Sequence, residues 1–498
     1  MLFNSMKFLI FFPIVLLIYY IVPKKIRYLW LLVASYYFYM CWNVKYVLLL
    51  IFSTTITYAS GIFLARINVL ELDEIEKKRF KNIVVAISFI LNLSILGYFK
   101  YSNFVMESIE NILHWYYIEV NVPVFDVILP VGISFYVFQA LSYTMDVYRG
   151  AIDAEKNIFR YALFVSFFPQ LIAGPIERSK NLLKQLAEPT QFCFEDFRDG
   201  LMLMIWGFFL KLVIADRIAI FVDTVYSDYD IYAGWYLIIA TMLFAVQIYC
   251  DFYGYSVIAM GAAEILGIKL MENFDAPYLS CSIAEFWRRW HISLTSWFKD
   301  YMYIPLGGSR KGTIRKYINK MLVFLVSGLW HGADFSFVVW GGVNGLYQVI
   351  GEIISPVRDK INSILGLHRE KLSHKMLNLI VTFILVDFSW IFFRAKTFHD
   401  ALEILHWIFS VRNPWIFFDG SLYQCGLDSK NFWLMIVSIM TLLFADIMKK
   451  KNIKVRTVIA SQDYWCRYLV MISAICFILI FGIWGSGYDA SGFIYFQF

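Results

Sequence analysis

Charge is scarce in this sequence. Asp, Glu, Lys and Arg together make up 16% of its 498 residues, where soluble domains carry about 25%. Disorder, a charge-laced coiled coil and a nucleic-acid-binding domain all need more, and are excluded. The 27 glycines are too few for a collagen-like period. Cysteine is sparse as well. The seven are Cys41, Cys193, Cys250, Cys281, Cys425, Cys466 and Cys476. Their number is odd, no two form C-x-x-C, and several lie in apolar runs, which excludes a disulfide framework and a zinc site.

Several catalytic signatures are missing too. There is no G-x-x-x-x-G-K-[ST] loop for nucleotide phosphates, no G-x-S-x-G elbow and no H-E-x-x-H pair. A His-x4-Asp acyltransferase pair is absent, because the residue five beyond His291 is Ser296. No fixed-period repeat and no low-complexity tract occurs. The longest polar stretches, 66–82 and 352–375, are too short to fold alone. The chain therefore reads as one domain over 1–498 with no soluble module.

Apolar residues are abundant. The set AVILMFWYC reaches 60% and mean hydropathy is +0.62. Water-soluble cores cannot bury so much, which leaves lipid as the solvent. Uncharged runs near bilayer length recur at 8–22, 28–42, 46–65, 83–99, 127–145, 231–250, 335–351 and 468–488, with weaker ones at 201–221, 376–393 and 432–445. The length criterion predicts an all-α polytopic membrane protein with about 11–12 crossings plus re-entrant and interfacial helices. Segment 161–176, broken by Pro169 and ending in Gly174-Pro175, is a candidate to dip in and return. The N-terminal run lacks a small-residue cleavage site and reads as a retained first span rather than a signal peptide.

Loop charge sets an orientation. Lys24, Lys25 and Arg27 mark loop 23–27. Arg66, Lys77, Lys78, Arg79 and Lys81 mark 66–82, and Arg149, Lys156 and Arg160 mark 146–160. Loops 43–45 and 100–126 carry only Lys45 and Lys100. By the positive-inside rule the basic loops are cytoplasmic and the N-terminus lies outside. The basic residues 449–456 precede the last span and send the C-terminus out. The acidic stretch 223–232 reads as an outside loop. The net charge of +6 reflects these loops rather than a nucleic-acid surface.

The chemistry then rests on polar residues set in apolar surroundings. His331 ends an apolar run, with Trp330 beside it as a supporting residue. His291 follows a Trp/Arg-rich stretch that suits an interfacial helix and a cytoplasmic mouth. There Arg288, Arg289 and Lys299 either anchor the protein or attract an anionic donor. Asp251 could orient an imidazole or pair with a buried Lys or Arg. His114, His368 and His374 lie in polar loops. His399 and His406 lie in an amphipathic stretch. No metal site is expected.

An ordered set of segments carries a resemblance. They are LPVGISFYVFQALSY (129–143), FFPQLIAGP (167–175), QIYCDFYGYS (247–256), NFDAPY (273–278), FWRRWHISL (286–294), DYMYIPLGG (300–308), GLWHG (328–332) and the terminal FIYFQF (493–498). In this order the chain resembles the membrane-bound O-acyltransferase superfamily, and within it the bacterial alginate-type O-acetyltransferase membrane subunits. The resemblance covers nearly the whole chain. It implies tilted helices around a central tunnel, with His331 as the essential catalytic histidine where two funnels meet and His291 as the second signature histidine. It further implies a cytoplasmic acyl donor, acetyl-coenzyme A or another carrier, and no bound cofactor. An extracytoplasmic acetyltransferase would receive the acyl group and modify an exported polysaccharide. A multi-pass protein of the bacterial cytoplasmic membrane is expected. The alternatives are D-alanyl transfer to teichoic acid, a lipid O-acyltransferase, and a transporter that performs no covalent transfer.

Overall fold

The structure is a computed structural model that describes residues 1–120, 122–125, 129–172, 174–188, 190–364, 366–368, 370–484 and 494. The start of the predicted span 127–145 and the end of the span 468–488 lie outside the described residues, as does the terminal motif 493–498 apart from Ile494. Among the described residues every regular element is helical and none is a strand, so the protein is all-α. The chain packs as two compact units, 1–204 with 258–271, and 205–257 with 272–498.

In the first unit, α1 (Met6–Ile21) starts where the Ser5 hydroxyl accepts the Phe8 N–H. It stops before Pro23, which biases the preceding residue away from helix. After the turn at 24–26 come α2 (Arg27–Met40), α3 (Val47–Val69) and α4 (Glu74–Leu96), the last capped by Asp73. α4 continues through a wide π turn at 97–101 into α5 (Ser102–Trp115). α6 (Ile133–Tyr148) is buried along most of its length. Its polar residues and those of its neighbours bond across helices. Gln139 donates to the Phe164 carbonyl at 2.6 Å, Tyr161 donates to Thr57 at 2.7 Å, and Ser53 donates to Asn92 at 2.5 Å. α7 (Ile158–Ser166) breaks at Phe167 and restarts as α8 (Phe168–Leu171). The broken segment foreseen from Pro169 is thus present, and it is buried in protein, where irregular backbone is tolerated. α9 (Ser179–Ala187) and the start of α10 (Phe194–Phe208) complete this part of the chain.

The second unit begins with the end of α10, a π turn at 209–215, and α11 (Asp216–Ser227). α12 (Trp235–Ile265) follows, its residues from 258 on being counted in the first unit. Two short helices, α13 (Ile283–Arg289) and α14 (Ile292–Phe298), lead through a third π turn at 299–303 to α15 (Thr313–His331) and α16 (Phe335–Ile353). Then come α17 (Ser355–Ile364), α18 (Leu372–Arg394), α19 (Phe398–Ser410), α20 (Ser429–Lys450), α21 (Val455–Ala460) and α22 (Tyr464–Phe481).

Among the described residues six helical stretches are long and apolar enough to cross a membrane: 44–69, 74–115, 235–265, 372–394, 429–450 and 464–481. The bent pair α16 and α17 makes a seventh if it is one span. The protein is a multi-pass membrane protein. Several other predicted runs form helices of 14–16 residues, such as α1 and α2. At 1.5 Å per residue these reach roughly 21–24 Å, short of the ~30 Å hydrocarbon core.

Candidate active site

The hairpin of α15 and α16 positions His331. Glycine makes it tight. A Cβ on Gly328 would lie 2.2 Å from the Phe337 carbonyl oxygen, and one on Gly341 would lie 2.3 Å from that of Phe324. α15 ends at His331 because Gly332 is extended and Asp334 caps the next helix, accepting the Ser336 N–H at 2.7 Å. His331 is therefore the last residue of its helix, and it is buried. Its ring meets Trp340 at 5.1 Å, Phe393 at 5.4 Å and Trp330 at 5.0 Å, all close to edge-on.

His291 joins α13 to α14 in the left-handed conformation, with φ 43° and ψ 57°. For a non-glycine residue this costs about 1–3 kcal/mol and persists only where neighbours enforce it. Here loop 273–275 does so. The Asn273 carbonyl accepts the Ile292 N–H at 2.9 Å and its side chain accepts the Ser293 N–H at 3.2 Å. The Asp275 N–H donates to the Arg289 carbonyl at 3.0 Å. Arg289 returns its guanidinium to Asp275 at 2.9 Å and to Glu285 at 3.0 Å. The imidazole is 1% exposed, lies 4.7 Å from the Phe252 ring and has the Ser293 hydroxyl 3.5 Å from Nδ1. Burial pushes its pKa down to about 3, so the ring is neutral at physiological pH.

The two histidine rings lie 6.5 Å apart at 61°, with Trp330 6.0 Å from His291. His291 is thus a buried neighbour of His331 rather than a group at an open mouth. Around the pair runs an aromatic wall. Trp340 stacks on Trp390 at 5.8 Å, Trp287 meets Trp340 at 5.7 Å, and Trp290 meets Trp390 at 5.2 Å. The indole N–H groups of Trp287 and Trp340 are buried and have no acceptor among the described residues.

Asp251 takes the second of the two roles open to it. Its carboxylate is 2.6 Å from Lys211 Nζ and accepts the Ile494 N–H at 2.8 Å, while Lys211 also reaches Asp216 at 2.8 Å. The neighbouring Phe252, not this carboxylate, supplies the ring against His291. Of the three basic residues assigned to the donor, Arg289 is engaged in the ion pairs that clamp His291, whereas Arg288 and Lys299 are exposed. His399 and His406 lie together on α19, and no metal-ligating cluster occurs among the described residues.

The residues that sequence reasoning left without a role are structural supports. Asp446 of α20 accepts the Tyr249 hydroxyl at 3.1 Å. Lys449 binds Glu272 at 2.9 Å and the Phe274 carbonyl at 2.8 Å, holding the loop that clamps His291. An acid inside an apolar helix was signal enough for Asp446. Nothing in the pattern marked Trp340 or Asn273 as neighbours of the histidines.

The sequence model of the membrane-bound O-acyltransferase family matches residues 151–386, an interval that holds both histidines. The chain is 37% identical over 447 residues to the probable alginate O-acetylase AlgI of Pseudomonas putida, covering 89% of this chain and 87% of that one. It belongs to the membrane-bound O-acyltransferase family. As a member it is an O-acyltransferase. The probable alginate O-acetylase AlgI of Pseudomonas aeruginosa is 37% identical over 413 residues, 82% of this chain and 75% of the relative. The peptidoglycan O-acetyltransferase of Helicobacter pylori is 33% identical over 81% of this chain and 79% of its own. The teichoic acid D-alanyltransferase of Bacillus subtilis is 28% identical over 54% of this chain and 69% of its own.

Proposed function

We propose that this acyltransferase, acting as one domain over 1–498, carries an acetyl group from a cytoplasmic thioester donor to a hydroxyl that serves O-acetylation of an exported cell-envelope polysaccharide. The donor is acetyl-coenzyme A or another acyl carrier. The acceptor hydroxyl belongs to an extracytoplasmic acetyltransferase partner or to the sugar itself. The observation that carries the reading is the buried pair His331 and His291, with rings 6.5 Å apart.

His331 acts as general base. Its imidazole takes the proton of the acceptor hydroxyl while the oxygen attacks the thioester carbonyl carbon, forming the new C–O bond. The tetrahedral intermediate collapses, the C–S bond breaks, and the imidazolium returns the proton to the departing thiolate. Ester and thiol are the products. The transient imidazolium sits at the C-terminal end of α15, where the helix dipole is negative and favours a cation. The neutral His291 adjoins the reacting carbonyl. The buried indole N–H groups of Trp340 and Trp287 supply donors for the oxyanion, which develops in a site walled from water by aromatic rings.

Acetyl rather than D-alanyl transfer is favoured because the relatives named for acetylation match at 33–37% over 81% or more of the chain, and the D-alanyltransferase at 28% over 54%. The test replaces His331 with alanine and measures acetyl content of the exported polymer at matched protein level. General-base loss lowers transfer by about 10²–10⁴-fold. Unchanged acetylation removes His331 from the mechanism.

A further inference from the structure

A basic cleft lies wholly within the first unit, in residues the acyl-transfer reading does not use. It has a volume of about 250 Å³ and is lined by the turn between α1 and α2, the start of α7, the end of α9 and Ile268. Four lining residues are cationic, Lys24, Lys25, Arg27 and Arg160, against the single lining carboxylate of Glu188. Leu31, Leu186 and Ile268 give it an apolar side.

One of the cations, Arg27, is buried and a second, Arg160, is half-buried. Arg27 is 8% exposed. Its nitrogens donate to the carbonyls of Val22 at 3.1 Å, Thr190 at 2.6 Å and Tyr20 at 3.1 Å, and its guanidinium lies over the Tyr19 and Tyr20 rings. Carbonyls and rings satisfy its hydrogens but leave its charge without a carboxylate in ion-pair contact among the described residues. Arg160 meets Glu155 at 3.4 Å, and its Nε is buried with no hydrogen-bond partner among the described residues. The buried Arg27 guanidinium is costly unless an anion balances it. Lys24 and Lys25 stand exposed at the rim and add to the same field.

We propose that this cleft binds the phosphate of an amphiphilic or soluble phosphate ester. Arg160 and the two lysines supply positive charge to the cleft, the lysines as mobile point charges, and the apolar side accepts the carbon chain beside the phosphate. The two sources with this chemistry are the headgroup of an anionic phospholipid and a soluble phosphorylated thiol carrier. The inference is independent of the role given to His331.

The test follows thermal unfolding of the purified full chain in neutral detergent with dioleoylphosphatidylglycerol, dioleoylphosphatidylcholine or coenzyme A. A ligand that binds only the folded protein raises the midpoint in a concentration-dependent way. The lipid glycerol-phosphate is expected to raise it by several degrees and the zwitterionic lipid not. A rise with phosphatidylglycerol alone assigns the lipid source, and a rise with coenzyme A alone assigns the soluble one. In either case Arg160→Gln and the pair Lys24→Gln with Lys25→Gln must weaken the response at least about tenfold in ligand concentration, as loss of a charge-assisted contact requires. The two lysines are exposed, so that variant folds even if Arg160→Gln does not. Equal midpoints with all three additives, or a shift that the lysine variant keeps in full, overturns the proposal.

Discussion

His291 is held in a backbone conformation it would not choose, with its ring in a place that forbids its charge. Both facts give it a thermodynamic signature. Its folded pKa is pushed down to about 3 by burial, whereas an exposed histidine titrates near 6.5. The unfolded chain therefore binds a proton below about pH 6.5 that the folded chain refuses. Stability falls as pH drops from about 6.5 toward 3, by on the order of 1 kcal/mol per pH unit, and this contribution is flat above pH 7. A His291→Gln variant lacks the titrating group. Its unfolding midpoint in detergent should decline less than that of the parent between pH 7 and 4.5, since all other groups cancel in the comparison. Parallel declines would show that His291 protonates freely in the folded protein. The same residue separates what was legible in the sequence from what was not. Its identity as a candidate came from its motif. Its burial did not, because the aromatic and basic residues around it fit an interfacial helix equally well, and only the clamp from Asn273 and Asp275 turns the ring inward.

At the scale of elements, the α15–α16 hairpin sets where His331 stands, and its glycines decide how close the helices come. Gly328 leaves no room for a methyl group against the Phe337 carbonyl, whereas a Cβ on Gly351, later in α16, meets nothing within 4 Å. Gly328→Ala must push the helices apart, costing about 1–3 kcal/mol and displacing His331, so both the unfolding midpoint and acyl transfer should fall. Gly351→Ala should leave transfer intact and raise the midpoint slightly, by about 0.4–1 kcal/mol of reduced unfolded-state entropy. If the two variants behave alike, close backbone approach is not what places the histidine. Sequence hydropathy located most of these helices but not their lengths or breaks. α7 and α8 read as a single apolar run, and only Pro169 hinted at the division. Asp251 was ambiguous for a similar reason. An acid in an apolar run announces a partner, but only the fold brings Lys211 from the 209–215 turn to within 2.6 Å of it.

Across the whole molecule, the distribution of charge still has a direction to give. Loops 23–27 and 146–160, both basic, come together in the first unit, where Lys24, Lys25, Arg27 and Arg160 line one cleft. Asn157 donates to the Tyr28 hydroxyl at 3.2 Å, and the Arg160 guanidinium lies 5.7 Å from the Tyr28 ring. Two loops in contact share one side of a membrane, which fits the alternation of basic and non-basic loops along the chain. Positive residues are retained on the cytoplasmic side during insertion, so this shared side is expected to be inside and the N-terminus outside. Loop 66–82 should then be inside as well, and the acidic stretch around Asp230 outside. Single cysteines at two exposed positions test this in a background freed of the seven native thiols, of which Cys41 and Cys476 are exposed. A membrane-impermeant maleimide applied to intact spheroplasts should label Asp230→Cys and spare Lys78→Cys, and lysis should expose the second. The reverse pattern would invert the protein and contradict the proposal of a cytoplasmic donor. Labelling of both in intact spheroplasts would show that the charge rule does not govern these loops.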